Sequence, residues 1–291
     1  MTIKNNFWIL LMFLSLPSMA QDQLYIGPSL GARLSTVSFF EDRAKNDFNS
    51  VPAPGFDVGF MVSRRLHNSF YLTAQLNYSQ KGKIVKGSSK GAFEQGGQPP
   101  DPLYKNTQTN RFIELPIYYM IEFKNTVGSK SGQAGIIKSY KWFLGAGPTV
   151  SYWLGGKGKL QSSWLKEDFI DEMDYRIVFD SDSLHKMKGA DKMYVGDANR
   201  LQFAINITGG IALEPVGFQK IVLALHLELG QSFLSKTSFG YFPGSNVDRD
   251  ELKSKYHSLR FSVSYLFDTK VEKAKRGKST IKNKKSSKKK R

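Results

Sequence analysis

Apolar and polar residues alternate with a period of two through most of this chain. The last case is the clearest, where Leu259, Phe261, Val263, Tyr265 and Phe267 alternate with Ser258, Arg260, Ser262, Ser264 and Leu266. A period of two puts one residue class on each face of a strand. Leu201, Phe203, Ile205 and Ile207 alternate in the same way with Gln202, Ala204, Asn206 and Thr208, and Leu223, Leu225 and Leu227 with Ala224, His226 and Glu228. Near the middle, Phe70, Leu72, Ala74, Leu76 and Tyr78 alternate with Tyr71, Thr73, Gln75, Asn77 and Ser79. Eight such segments are expected, near residues 24–35, 55–64, 70–84, 111–123, 140–154, 200–214, 220–233 and 256–268.

The links between these segments run long (36–54), short (65–69), long (85–110), intermediate (124–139), very long (155–199), short (215–219) and long (234–255). Outer-membrane barrels have an even number of strands, short periplasmic turns and longer outer loops. The pattern predicts an all-β fold, an eight-stranded antiparallel transmembrane β-barrel with long extracellular loops. Alternation alone does not separate this from a soluble sandwich or lipocalin-type barrel, whose apolar face points inward. Aromatics at the strand ends favour the membrane, because interfacial girdles use them. These are Phe70, Tyr78, Tyr119, Phe123, Trp142, Tyr152, Tyr265 and Phe267.

The chain start changes the compartment. Lys4, an apolar stretch from Phe7 to Leu16 and Pro17-Ser18-Met19-Ala20 follow the order of a secretory signal peptide, expected to occupy residues 1–20. The formal charge of +17 suggests nucleic acid until its distribution is counted. Residues 270–291 hold twelve Lys or Arg and one Glu, or +11 of the total. The expected organisation is therefore a signal peptide at 1–20, a barrel at 21–268 and a lysine-rich periplasmic tail at 269–291. Blocks of like charge repel themselves, so the tail is expected to be disordered. Nucleic acid is not an expected partner there. Acidic protein surfaces and anionic lipid headgroups are. With no Cys, thiolate zinc sites and cysteine nucleophiles are excluded.

Four stretches stand out: Tyr25-Ile26-Gly27-Pro28-Ser29-Leu30-Gly31-Ala32, Arg111-Phe112-Ile113-Glu114-Leu115-Pro116-Ile117-Tyr118-Tyr119, Phe143-Leu144-Gly145-Ala146-Gly147-Pro148 and Leu259-Arg260-Phe261-Ser262-Val263-Ser264-Tyr265-Leu266-Phe267. Together they resemble the outer-membrane β-barrel family of Bacteroidota typified by PorT. The resemblance implies an eight-stranded barrel and, for the PorT type, a part in type IX protein secretion and the associated gliding motility. The long 155–199 link and the basic tail depart from that pattern.

Candidate chemistry is sparse. Arg33, Asp57, Glu114, Glu122, His226, Glu228 and Arg260 fall on the expected lumen face. Two arginines among four carboxylates predict an internal ion-pair network, because charges inside a narrow barrel must be paired. His226 and Glu228 stand two apart on one face, but no serine is placed beside His226 by the sequence, so no enzyme is expected. The acidic run Glu167, Asp168, Asp171, Glu172, Asp174 lacks the ligand rhythm and bend glycine of a calcium loop. No metal, cofactor or catalytic residue is expected. Trp164, Phe169 and Tyr175 in the long link, and Lys284, Lys285, Lys288, Lys289, Lys290 and Arg291 in the tail, are candidates for partner binding. The expected partners are outer-membrane lipids and proteins of the outer membrane or periplasm. The functional expectation is a non-enzymatic accessory component of secretion, with a stand-alone surface barrel, adhesin or membrane stabiliser, as the alternative.

Overall fold

The structure is a computed structural model that describes residues 23–41, 45, 47–87, 104–125, 137–167, 169–179, 191–215, 219–236, 239–241 and 249–270. The expected signal peptide lies outside the described residues, as does the expected tail beyond Thr269 and Lys270, which continue the last strand. In chain order the elements are β1 (Gln23–Phe39), β2 (Phe48–Val51), β3 (Ala53–His67), β4 (Phe70–Gly87), β5 (Lys105–Asn125), β6 (Ile137–Gln161) and α1 (Ser163–Glu167). They continue with β7 (Met173–Phe179), β8 (Lys192–Val195), β9 (Leu201–Pro215), β10 (Gln219–Gly230), β11 (Phe239–Tyr241), β12 (Arg249–Glu251) and β13 (Ser254–Lys270).

Eight of these strands close a ring. Antiparallel ladders join β1 to β3, β3 to β4, β4 to β5, β5 to β6, β6 to β9, β9 to β10, β10 to β13 and β13 back to β1. Each expected segment becomes one ring strand. Closure leaves no edge with unpaired N–H and C=O groups, which hydrocarbon does not tolerate.

Burial decides between a soluble and a membrane barrel. Arg33, Asp57, Lys81, Glu114, Glu228 and Arg260 are buried, while Leu30 is 62 % exposed, Phe60 63 % and Leu144 60 %. The apolar face points outward on every ring strand, for example Val58 on β3, Leu76 on β4, Ile207 on β9, Leu225 on β10 and Phe261 on β13. Five of the expected girdle residues, Tyr119, Phe123, Trp142, Tyr152 and Phe267, are exposed on this surface. The Phe70 and Tyr119 rings stack at 5.6 Å and Tyr265 meets Phe267 edge-on at 4.9 Å.

The strands outrun the belt. A tilted strand crosses a bilayer in about 9–11 residues, whereas β4, β5 and β6 have 18, 21 and 25. The surplus lies at the end that carries the longer links, called the loop end below. There the outward positions turn polar (Thr107, Thr109, Lys157, Lys159), and an apolar core gathers inside (Val37, Val85, Trp153, Leu160) beside the polar Asn106, Gln108 and Asn110. The 155–199 segment, expected to be a loop, instead continues β6 to Gln161 and adds α1, β7 and β8. The physical reason is a bulge: opposite Arg111 and Phe112 the partner jumps from Gly155 to Trp153, and Gly155 has φ +139°, a backbone region open to glycine. The extra residue shifts the lumen-facing set from odd numbers (Ser151, Trp153) to even ones (Gly158, Leu160). Period-two counting therefore loses the strand at this point. Beyond it β7 pairs with β6, and β8 runs parallel to β7, the one parallel ladder among the described strands.

A narrow ring also needs lumen-facing glycines where neighbouring backbones close in. A Cβ on Gly147 would lie 1.8 Å from the carbonyl oxygen of Ile117. Gly147→Ala is expected to destabilise the barrel by about 1–3 kcal/mol, seen as a lower temperature for the mobility shift of the folded form in SDS gels. Gly196→Ala, with nothing within 4 Å of the added carbon, is expected to leave that temperature unchanged.

Candidate functional site

The lumen is filled in layers. Strand parity sends Arg33 of β1, Asp57 of β3, Lys81 of β4, Glu114 of β5, Glu228 of β10 and Arg260 of β13 inward at the middle of the ring. Arg33 stands directly opposite Arg260 in the β1–β13 register, an arrangement that like charges reach only when carboxylates surround them. Arg33 donates from Nη2 to Asp57 Oδ1 and to Glu114 Oε2, each at 2.6 Å, and from Nε to Asp57 Oδ2 at 3.2 Å. Its Nη1 lies 3.6 Å from Glu228 Oε2. Lys81 Nζ bridges Glu114 Oε1 at 2.6 Å and Glu228 Oε1 at 2.5 Å. Ser79 Oγ donates to Asp57 Oδ1 and Glu114 Oε2. Arg260 completes the set by donating to Gln75 Oε1 and Tyr118 Oη, both at 3.0 Å. Three cations thus face three carboxylates, Asp57, Glu114 and Glu228.

Apolar layers close both sides. Towards the loop end Phe112, Trp153, Leu160, Tyr175, Ile177, Met193, Leu234, Leu252 and Tyr256 form one core. Trp153 Nε1 donates to Asn110 Oδ1, and Asn110 Nδ2 donates to Tyr256 Oη. Lys81 Nζ sits 5.0 Å from the Phe112 ring centroid, so the charged layer touches this core through its aromatic faces. Towards the other end Tyr25, Met61, Tyr71, Tyr118, Met120, Phe143, Val222 and Leu266 form a second core. Below it Lys220 pairs with Glu122 and lies over the Tyr71 ring at 4.6 Å. Lys141 bridges Glu214 and Glu122. Among the described residues these layers fill the lumen with side chains, as expected for eight strands.

All seven expected lumen residues are buried inside the ring. Arg33, Asp57, Glu114 and Glu228 share one network; Arg260 completes it through neutral partners. Glu122 belongs to the separate Lys220 cluster. His226 joins neither: its Nε2 is 2.8 Å from Ser262 Oγ, and its Nδ1 has no partner among the described residues. A serine is therefore placed beside His226, which the sequence did not show. Among the described residues no carboxylate orients the free nitrogen, and both members of the pair are buried between Gln75, Tyr118 and Thr208. The dyad is walled in.

The lysines were missed. Lys81 and Lys83 continue the inward parity of Asn77 and Ser79, and Lys220 continues that of His226 and Val222. Parity was the available signal, but lysine at a strand end reads as a surface residue whose ammonium reaches water.

Of the candidate partner residues, Tyr175 is corrected. It is 2 % exposed, packs in the loop-end core and donates to Asn106 Oδ1 at 2.6 Å. The bulge in β6 sets up the pairing with β7 that turns it inward. Phe169 is 98 % exposed. It follows α1 at φ +60° between two capping bonds, Phe169 N to Lys166 O at 3.0 Å and Ile170 N to Leu165 O at 2.7 Å. That is the C′ position of a Schellman cap, where glycine fits and a side chain costs about 1 kcal/mol. The Trp164 side chain and the tail residues Lys284, Lys285, Lys288, Lys289, Lys290 and Arg291 lie outside the described residues.

Removing one member of the central network leaves buried charge without its partner. Lys81→Met is expected to lower the unfolding free energy by about 3–5 kcal/mol, measured by urea titration of the barrel in vesicles. A change below 1 kcal/mol would show that the network is not what holds the lumen.

The chain is similar to known outer-membrane proteins. The family model described as outer membrane protein beta-barrel domain matches residues 19–233. No curated protein matches. Among solved structures, the outer membrane protein OprG from Pseudomonas aeruginosa is 9 % identical, with a TM-score of 0.40, covering 86 % of this chain and 96 % of that one. Neisserial surface protein A is 8 % identical with a TM-score of 0.36, covering 84 % and 97 %. The attachment invasion locus protein Ail of Yersinia pestis, solved with the heparin analogue sucrose octasulfate, is 8 % identical with a TM-score of 0.32, covering 85 % and 99 %. The family match spans most of the chain, and with it the closed ring and the outward apolar belt place this protein in the outer membrane as a member of the outer membrane β-barrel domain family.

Proposed function

We propose that this protein is a non-enzymatic accessory component of a protein export machine of the type IX kind, anchored in the outer membrane by its barrel. The observation that carries the reading is the filled lumen. An ion-pair layer between two apolar cores gives a rigid anchor, so the working surfaces are those outside the belt. The resemblance of the Ile113-Glu114-Leu115-Pro116-Ile117 and Gly145-Ala146-Gly147-Pro148 stretches to the PorT type supplies the machine. In this reading the signal peptide is removed, both termini face the periplasm and the long links face outward. The tail holds acidic partners, and the Phe169 tip holds a partner at the loop end.

Phe169 gives that reading a local support. An aromatic ring kept at a left-handed position and almost wholly exposed destabilises the free chain without packing against it, which fits a surface kept for contact.

A strain lacking the protein is expected to lose secreted cargo and gliding, measured by protein in the medium and colony spreading. Export unchanged in that strain overturns the reading; if adhesion to surfaces falls at the same time, the stand-alone surface barrel replaces it. Phe169→Gly is expected to leave folding intact, or to stabilise the chain by up to about 1 kcal/mol, while lowering export. Truncation after Lys270 tests the tail by the same assays.

A further inference from the structure

A row of cations crosses the outward face of the barrel where the apolar belt ends. In the ladders Lys157 of β6 lies opposite Arg176 of β7, and Arg176 lies opposite Lys192 of β8. On the other side Lys157 lies opposite Thr109 of β5, two residues from Arg111. Directly paired side chains have Cβ atoms about 5 Å apart and diagonal neighbours stand about 7–8 Å apart. Four basic side chains are thus held abreast on four consecutive strands. Lys157, Arg176 and Arg111 are exposed and Lys192 is half-buried.

Like charges placed opposite one another destabilise a sheet. Among the described residues none of the four forms an ion pair. The neighbouring carboxylates are engaged elsewhere, because Glu172 and Asp174 both hold Lys159. That engagement pushes the Lys159 pKa up, first through its hydrogen bond from Nζ to Glu172. Asp191, just before β8, is exposed and makes no ion pair with the row.

The position of the row selects its ligand. Below Arg111 on β5 come Ile113 and Leu115, and below Lys157 on β6, past the bulge, come Leu154 and Tyr152, all exposed apolar positions of the belt. Arg200 lies between the rings of Tyr152 and Phe179, at 4.6 and 4.8 Å, and carries the basic edge round towards β9. A molecule that meets both surfaces at once has acyl chains against the belt and negative charge level with the row. We propose that Arg111, Lys157, Arg176 and Lys192 form a binding site for the anionic, phosphate-bearing headgroup of a membrane lipid in the leaflet at the loop end. The arginines supply forked donors and the lysines point charges to phosphate oxygens.

The test uses the purified full-length chain in a neutral detergent, with phosphatidylglycerol and phosphatidylcholine offered in equal amounts and the retained lipid counted by native mass spectrometry. The wild type is expected to retain phosphatidylglycerol in preference. In the variant Arg111→Gln/Lys157→Gln/Arg176→Gln/Lys192→Gln that preference is expected to fall at least about tenfold. Lys86→Gln/Lys105→Gln removes another pair that stands opposite on the same face but farther from the belt, and it is expected to keep the preference. A tail-truncated chain should keep it too, which separates this site from the tail. The heat-dependent gel shift confirms that each variant is folded; should the quadruple variant fail to fold, Lys157→Gln alone is expected to reduce the preference. Equal retention by the wild type and the folded row variant overturns the proposal. So does loss of the preference on adding inorganic phosphate in tenfold excess, which would make the site one for a soluble anion.

Discussion

Everything else in this barrel depends on how its buried charges are neutralised. A closed ring in lipid turns its apolar face outward, so polar groups fill the inside, where an unpaired charge costs several kcal/mol. Arg33 meets that constraint by holding Asp57 and Glu114 at 2.6 Å each, while Lys81 ties Glu114 to Glu228. With Arg260, the participants come from β1, β3, β4, β5, β10 and β13, six of the eight ring strands. The network acts across the ring, where the ladder bonds act only between neighbours. It selects one register, because a slip of one residue would turn these groups towards lipid.

Along the barrel axis the rule for inside and outside reverses. Within the belt the outside is Leu, Ile and Phe and the inside holds the ion-pair layer, with the core of Tyr71, Met120 and Phe143 beside it. Beyond it the outside is Thr and Lys and the inside is a core of Phe112, Trp153, Leu160 and Tyr256. The same strands obey both rules because the solvent around them changes from hydrocarbon to water. The bulge at Gly155 lies at this boundary, lets β6 leave β9 and pair with β7, and builds an aromatic cap over the ion-pair layer.

That boundary is also where the outer surface becomes chemically specific. The row of Arg111, Lys157, Arg176 and Lys192 exists because β7 and β8 join the sheet there. In the function proposed for this protein, recognition falls to such surfaces: the basic row at the belt's edge, the exposed Phe169 and the tail.

Period-two alternation was enough to place eight strands, because an unbroken strand buried on one side has no other way to sort its residues. The same parity put Arg33, Asp57, Glu114, Glu122, His226, Glu228 and Arg260 inside. It also held the positions of Lys81 and Lys220, hidden only by the habit of lysine at strand ends. It failed at Gly155, where one inserted residue reverses parity, and so Tyr175 was read as surface when it is core. Which charges meet, and that Ser262 reaches His226, was decided only by closure of the ring. Local sequence specifies which face a side chain takes, whereas partners 81 or 147 residues apart, as in Arg33 with Glu114 and Lys81 with Glu228, are chosen by the curvature and stagger of the whole barrel.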